Sequence, residues 1–323
     1  MNLSVIIVNW NTRDLLLQCL ESVYQSVCGK EIEVFVVDNG SIDGSLSVAR
    51  ERFPETRFIE NRKNLGFAKA NNQALGLSSG DYILLLNPDT LVKNGAIEKL
   101  LAFMEAHPGA GGAGAQLLNS GGTRQNSIAN FPSLATELIP KRLLRWLFPK
   151  AFPGKEKKYS EPIEVDSVIG ACMILRREVI EQVGGLDEDY FLFMEETDWC
   201  YRMRKAGWKI YHIPQAEVYH FQGKSVEVKK MKAKVEYYRS RYLFFKKHKG
   251  GLQWLVLHMG LTIRLLAELV LMILVCFLSC WAIQRWRRRL LVYAYLMWWH
   301  LKGCPEAMGI KPILREDSFS VGS

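Results

Sequence analysis

The run Tyr82-Ile83-Leu84-Leu85-Leu86 is apolar without interruption and stops at Asn87-Pro88-Asp89-Thr90. An apolar run with no alternation suits a parallel strand covered on both faces, and Pro88 cannot donate to a ladder, so pairing ends there. Asp89 therefore stands at a strand's carboxyl end, the edge at which open α/β sheets bind ligands. With no Lys or Arg beside it, its carboxylate is suited to a divalent cation; the alternative is a cap for the following helix. Two other strand ends carry polar residues. Asn9 and Asn11 follow the apolar run 4–8, and Asp38-Asn39-Gly40-Ser41 follows 33–37. Asp38 and Asn39 pair an acceptor with a donor, which fits the edge of a pyrimidine base. The segment Asn64-Leu65-Gly66-Phe67-Ala68-Lys69-Ala70-Asn71-Asn72 adds amides and a helix start suited to ribose or phosphate. Each residue alone also fits turn chemistry. Their meeting on one sheet edge is what points to a shared crevice.

A second constellation lies in Gly184-Gly185-Leu186-Asp187-Glu188-Asp189 and, beyond the aromatic run that follows, Glu195-Glu196-Thr197-Asp198-Trp199-Cys200-Tyr201-Arg202. Two adjacent carboxylates repel unless one faces a cation or keeps a proton, and the latter suits a general base. Glu196, Glu195 and Asp198 form the candidate catalytic set, although Asp198 and Arg202 at i and i+4 on a helix also fit a structural ion pair. His220, after the short apolar run 216–219, is either a metal ligand or a hydrogen-bonded structural residue.

The elements that must position these groups follow from periodicity. Strands expected at 3–8, 33–37, 57–60 and 82–86 alternate with helices at 14–24, 45–52, 67–77 and 95–106. This βα series implies a Rossmann-like α/β fold: a mostly parallel sheet with helices on both faces. After Gly109 the pattern loosens, and residues 118–164 read as a long loop with short helices near 134–148; a strand at 165–175 and a short helix ending at Gly184-Gly185 restore order. The letters Gly109-Ala110-Gly111-Gly112-Ala113-Gly114 satisfy the dinucleotide fingerprint, but they follow a helix instead of a strand, which excludes a nicotinamide site there.

At 323 residues and 49% hydrophobic content the chain has room for one large domain and an appendage. Seven scattered cysteines with no C-x-x-C indicate a reducing compartment, the cytosol, and no zinc site. Met1-Asn2-Leu3 leads directly into the first strand, so no signal peptide is expected. The net charge of +9 concentrates near the C-terminus, where Arg239, Arg241, Lys246, Lys247 and Lys249 precede an apolar stretch and Arg285, Arg287, Arg288 and Arg289 follow it. That pattern points to an anionic membrane surface and not to nucleic acid. The apolar stretch runs over 252–283, broken only by His258, Arg264 and Glu268, and a second piece rich in aromatics covers 290–299. Basic clusters on both sides of the first piece argue for a shallow hairpin or in-plane helices over a simple span; a buried helical extension or a dimer contact is the alternative. The expected division is a catalytic domain over 1–250 and a membrane-associated helical tail over 251–323.

Taken together, Val8-Asn9-Trp10-Asn11, Val37-Asp38-Asn39-Gly40-Ser41, Asn64-Leu65-Gly66-Phe67-Ala68, Leu86-Asn87-Pro88-Asp89, Gly170-Ala171-Cys172-Met173, Gly185-Leu186-Asp187-Glu188 and Glu195-Glu196-Thr197-Asp198-Trp199 resemble the family 2 glycosyltransferases of the GT-A fold, especially the bacterial rhamnosyltransferase-like branch. The resemblance covers about the first 250 residues in order. It implies inverting transfer of a sugar from a nucleoside diphosphate donor to the hydroxyl of a saccharide or lipid-linked saccharide, in bacterial surface polysaccharide assembly at the cytoplasmic face of the inner membrane. It also implies a divalent cofactor, Mg or Mn. By resemblance Asp38 reads the base, and Asn9, Asn11, Asn39, Asn64, Gly66, Phe67 and Asn71 complete the donor site. Asp89 takes the last place of the metal-binding D-x-D motif, Asn87 stands at its first place, and His220 matches a residue that completes the metal site. Glu196 matches the catalytic acidic residue of the family's E-D pair, here Glu195-Glu196, with a reach longer by one methylene. A nucleotidyltransferase, or a membrane-bound scaffold with a degenerate site, is the competing reading.

Overall fold

The computed structural model describes residues 3–26, 32–148, 158–221 and 230–311. Alternation of buried side chains along the strands sorts them onto two faces of one sheet. Leu3, Val5 and Ile7 of β1 (Leu3–Asn9), Val34 and Val36 of β2 (Ile32–Asp38) and Leu84 and Leu86 of β4 (Tyr82–Leu86) join one apolar cluster. Helices α1 (Arg13–Ser26), α2 (Ser45–Arg52) and α4 (Ala96–Ala106) cover that cluster through residues such as Leu16, Ala49 and Leu100. Ile6, Phe35, Val37, Ile83 and Leu85 point the other way and meet α3 (Phe67–Leu75), α7 (Arg177–Val183) and α8 (Glu195–Lys205), whose Trp199 is fully buried. Strands covered on both faces need no polar alternation, which is why their sequences are continuous apolar runs.

The sheet runs β3-β2-β1-β4-β10-β6-β11-β5, where β3 is Arg57–Glu60, β5 Thr90–Val92, β6 Ala110–Leu118, β10 Cys172–Arg176 and β11 Lys209–His220. β1, β2, β3 and β4 are parallel, as are β6 and β11; β10 is antiparallel to β4 and to β6. β8 (Ile163–Val165) adds to β11, and β7 (Ile128–Ala129) pairs with β9 (Ser167–Val168) apart from the main sheet. The strand expected over 165–175 is therefore divided among the end of β8, β9 and β10, with breaks at 166 and at 169–171.

β6 and β11 were not anticipated as strands. The glycine-rich letters from Ala110 to Gly114 open a central strand in which Gly111 and Gly114 solve packing problems. A Cβ on Gly111 would stand 2.7 Å from Trp208 Cβ, and one on Gly114 would stand 2.6 Å from Val168 Cβ. Contacts that short exclude any side chain without rearrangement.

The chain divides into two units by its contacts. The first holds the described residues up to Phe131 together with 158–221; the second holds 132–148 and 230–311. In the second unit α5 (Leu134–Leu138), α6 (Lys141–Leu147), α9 (Lys230–His248), α10 (Gly251–Leu278) and α11 (Gln284–Leu301) form a helical cluster. Residue 250 falls between α9 and α10, inside this unit, so α9 groups with the tail and not with the sheet. Tyr242 of α9 stacks on His258 of α10, its ring centroid 4.9 Å away, and its hydroxyl meets His300 Nε2 of α11 at 2.8 Å.

Candidate active site

Parallel pairing sets Asn9 opposite Asp38 at the carboxyl ends of β1 and β2. Asn9 is fully buried, and its Nδ2 donates to Asp38 Oδ1 (2.8 Å), Ser41 Oγ (3.1 Å) and Ser45 Oγ (2.8 Å), while its Oδ1 accepts from Thr12 Oγ1 (2.7 Å). Asp38 Oδ2 accepts the Ser41 amide at 2.8 Å. Asn11 adopts a left-handed backbone (φ 52°), donates its amide to Ser41 Oγ and accepts the Ile42 amide. Asn39 Nδ2 reaches Asn64 Oδ1 (3.3 Å) and the Gly66 carbonyl (3.2 Å), and its Oδ1 accepts from Asn61. These bonds lock the loops after β1, β2 and β3 together, so that Asn9, Asp38 and Asn39 form a buried floor with Asn11 and Ser41 partly open above it. Gly66 is required by its own backbone and its neighbour: its φ is 91°, and a Cβ would stand 2.8 Å from Phe191. The Phe67 amide then donates to the Phe191 carbonyl (3.2 Å), which ties the start of α3 to the loop before α8. Asn71 turns back into its own helix, donating to the Phe67 carbonyl at 2.9 Å. Asn11, Arg13, Asp43 and Phe221 border an open cavity of about 640 Å³.

β5 pairs antiparallel with β11, matching Thr90 to His220, and this register delivers the imidazole to the strand-end carboxylate. His220 Nε2 lies 3.4 Å from Asp89 Oδ1, both side chains being mostly buried. Gln125 holds the far side of the ring. Its Oε1 is 3.1 Å from His220 Nδ1, and its Nε2 donates to the His220 carbonyl at 2.6 Å. Gln125 Oε1 can only accept, so it fixes Nδ1 as the donor on that side and directs Nε2 at Asp89. A histidine nitrogen and a carboxylate oxygen thus converge, a mixed donor set that fits a divalent cation such as Mn better than Mg. Among the described residues no third His, Cys, Asp or Glu joins them. Asn87 stands at the head of the same turn, where its carbonyl accepts from Thr90 Oγ1 (2.6 Å). Gln125 was not singled out from sequence, because it lies in the stretch with no readable period and 95 residues from its partner.

The Asn87 amide donates to the Ala171 carbonyl (2.9 Å), and neighbouring Gly170 leaves room for Glu196: a Cβ there would stand 3.4 Å from Glu196 Cβ. The strand-end turn and the acidic helix start are thereby joined through two consecutive residues. Glu196 keeps partial access to solvent, yet protein encloses its carboxyl enough that burial raises its pKa above the usual carboxylate range, opposed by the amides of Glu196 and Thr197. Phe193 and Met194 precede α8 with φ of 71° and 69°. Two consecutive left-handed residues without glycine cost about 1–3 kcal/mol each, a strain that marks the turn aiming the two glutamates. Glu195 is buried. Asp198 is fully buried and pairs with Arg202 at 2.8 Å, and Arg202 also donates to the carbonyls of Val183 and Gly185. The ion pair so pins the segment before α8.

A mixed sheet that gathers a carboxylate-imidazole pair and a carboxyl of raised pKa near its strand ends has the architecture of the GT-A fold. The chain belongs to the family described as Glycosyl transferase family 2, which matches residues 4–184. It is 30% identical over 237 residues to the N-acetylglucosaminyl-diphospho-decaprenol L-rhamnosyltransferase of Mycobacterium tuberculosis, covering 69% of this chain and 77% of that one. The rhamnosyltransferase WbbL of Escherichia coli is 27% identical over 164 residues, 48% of this chain and 61% of that protein. Among solved structures, the mannosyltransferase of Pyrobaculum calidifontis in complex with GDP-Man and Mn²⁺ superposes with a TM-score of 0.56 at 18% identity over 93% of this chain and 86% of that one, a likeness of fold. Membership makes the chain a glycosyltransferase and sets aside the nucleotidyl-transfer and scaffold readings.

Proposed function

We propose that this chain transfers a sugar, rhamnose by its likeness to the mycobacterial and E. coli relatives, from a nucleoside diphosphate to a hydroxyl of a lipid-linked saccharide, with inversion, at the cytoplasmic face of a bacterial membrane. The observation that carries the reading is the convergence of Asp89 and His220, with Gln125 orienting the imidazole toward the carboxylate. Asp89 and His220, with Asn87 beside them, would hold a divalent cation whose chemistry is to neutralise charge on the departing diphosphate. The loops after β1, β2 and β3 receive the nucleoside on their buried floor of Asn9, Asp38 and Asn39. Glu196 takes the proton of the attacking hydroxyl. One displacement needs no covalent intermediate and inverts the anomeric centre. Asp89→Asn keeps the size and loses the charge, so it abolishes transfer and also removes the extra thermal stabilisation that Mn²⁺ adds in the presence of dTDP, the nucleoside diphosphate that the likeness to the rhamnosyltransferase-like branch suggests. Undiminished transfer and an unchanged Mn²⁺-dependent shift in that variant would refute the metal-holding role.

A further inference from the structure

Helix α10 carries an apolar face that the second unit leaves open. Its inner face is covered: Leu257, Leu261 and Leu265 are at most 1% exposed. On the opposite side Val256, Met259, Ile263, Leu266, Val270 and Ile273 recur at alternating spacings of three and four, each 41–64% exposed. Such a repeat also describes a coiled-coil seam. The flanks argue against that. Leu255, Thr262 and Leu269 on one side and Gly260, Ala267 and Leu274 on the other carry no charge, where a water-soluble coiled coil places Glu and Lys. Of the 28 residues of α10 only Leu257, Leu261, Leu265 and Cys276 are buried, and the rest are mostly apolar, so the uncovered surface asks for an apolar solvent.

A bilayer span does not meet the packing. The inner side of the first half of α10 is packed against α5 and α9, so that half cannot enter a bilayer without carrying those helices with it: Tyr242 stacks on His258, Leu138 fills the space over Gly260, and Arg264 donates to the Glu137 carbonyl. Beyond Leu265 only Cys276 is buried, and residues 266–278 at 1.5 Å each give about 20 Å. The hydrocarbon core needs about 30 Å. After the turn, α11 opens with Arg285, Arg287, Arg288 and Arg289, all exposed and none in an ion pair among the described residues. Four cations at a helix start oppose the helix dipole unless anions meet them. α10 and α11 pack side by side, and paired helix axes lie about 8–10 Å apart. That spacing matches the distance from the acyl boundary to the headgroup phosphates, since interfacial helices bury their apolar face by about 5–10 Å.

We propose that the α10–α11 hairpin lies in the plane of an anionic leaflet, the outer face of α10 in the acyl boundary and the α11 arginines on lipid phosphates. The inference rests on the membrane location proposed above and supplies its depth and orientation. The test uses the full chain with vesicles of phosphatidylglycerol and phosphatidylcholine in equal parts, or of phosphatidylcholine alone. Binding to the anionic vesicles is expected to exceed binding to the neutral ones by about tenfold or more, and Arg287→Gln, Arg288→Gln and Arg289→Gln combined to erase the difference. Val270→Ser with Ile273→Ser weakens binding to both, and alkaline carbonate strips the wild-type protein from the vesicles. Retention through carbonate would mean a span and would overturn the orientation while leaving the location intact. Equal binding to both vesicle types would remove the phosphate contacts. No binding to either, with a dimer in light scattering that Val270→Ser and Ile273→Ser dissolve, would assign the face to a second copy and withdraw the location. A dTDP-induced thermal shift, measured alongside, reports whether each variant is folded and leaves the transfer reading separately testable.

Discussion

In its proposed role as base, Glu196, whose pKa burial raises, must release its proton before it can accept one, which would tie activity to pH. The acid limb of kcat/KM is expected above the usual glutamate value of about 4.3 and should vanish with the residual activity in Glu196→Gln. The same shift has a stability sign. Folding favours the protonated form, so this contribution is fully present below the ordinary carboxylate value and is lost as pH rises through the raised one. Glu196→Gln, neutral at every pH, should therefore lose transfer by roughly a hundredfold or more while its melting temperature at neutral pH stays equal or rises. A variant that lost both would indicate a structural carboxyl. In the proposed metal site Gln125 stands one step back from the reaction, orienting the ring of His220. Gln125→Leu leaves Nδ1 without its acceptor and frees the imidazole to turn, so the Mn²⁺ concentration for half-maximal stabilisation of the dTDP complex should rise about 10–100-fold, as loss of such supporting contacts does at metal sites. Calorimetric titration of Mn²⁺ reads that directly. A melting-temperature loss with unchanged Mn²⁺ affinity would make Gln125 a packing residue only.

At the scale of elements, the strands that sequence made legible are those whose own composition decides their fate. β1, β2 and β4 are runs of Val, Ile and Leu buried on both faces, and a polar residue or proline marks where each stops. β6 escaped notice because Ala110-Gly111-Gly112-Ala113-Gly114 has little intrinsic strand preference, and its conformation comes from neighbours, β10 on one side and β11 on the other. The residues that demand glycine there, Trp208 and Val168, are remote in sequence, so no local pattern announces them. Gly114→Ala should cost about 1–3 kcal/mol in chemical denaturation, because Val168 is held in its own strand and cannot retreat. The site was legible to a similar degree: the strand-end residues were readable, whereas the register that brings His220 to Asp89 depends on β11, whose short apolar end alone was visible. β11 carries a second testable group. His212 is 1% exposed, and burial depresses its pKa to about 4. The folded chain favours neutral imidazole, so stability is present above the ordinary histidine value of about 6.5 and is lost as pH falls toward 4, by about 1.4 kcal/mol per unit of separation at most. His212→Phe should flatten the unfolding free energy over that window.

For the whole molecule, the composition of the tail was readable, but not which of its residues the neighbouring helices of the second unit cover. Leu257, Leu261 and Leu265 differ in no visible way from Ile263 or Leu266, and only the positions of α5 and α9 separate the buried set from the exposed one. That distinction decides where the chain can be cut. A break after residue 250 looks natural in sequence, since every proposed donor-site residue precedes it. It leaves α9 behind with Tyr242 stripped of His258, Trp299 and His300, and with Val235, Phe244 and Phe245 of the same helix buried in a cluster that has lost two of its helices. Exposing that much apolar surface favours aggregation, so the truncated chain is expected in the insoluble fraction. Shortening the hairpin instead, by replacing residues 268–293 with a short glycine-serine turn, keeps Leu257, Leu261, Leu265, Leu296 and Trp299 in place and sacrifices only Cys276 among the fully buried side chains. This variant should be soluble, retain the dTDP-dependent thermal shift and lose binding to anionic vesicles. If the cut at 250 yields a soluble, dTDP-binding protein while the shortened hairpin precipitates, the outer half of the hairpin supports the fold and α9 does not depend on α10 and α11.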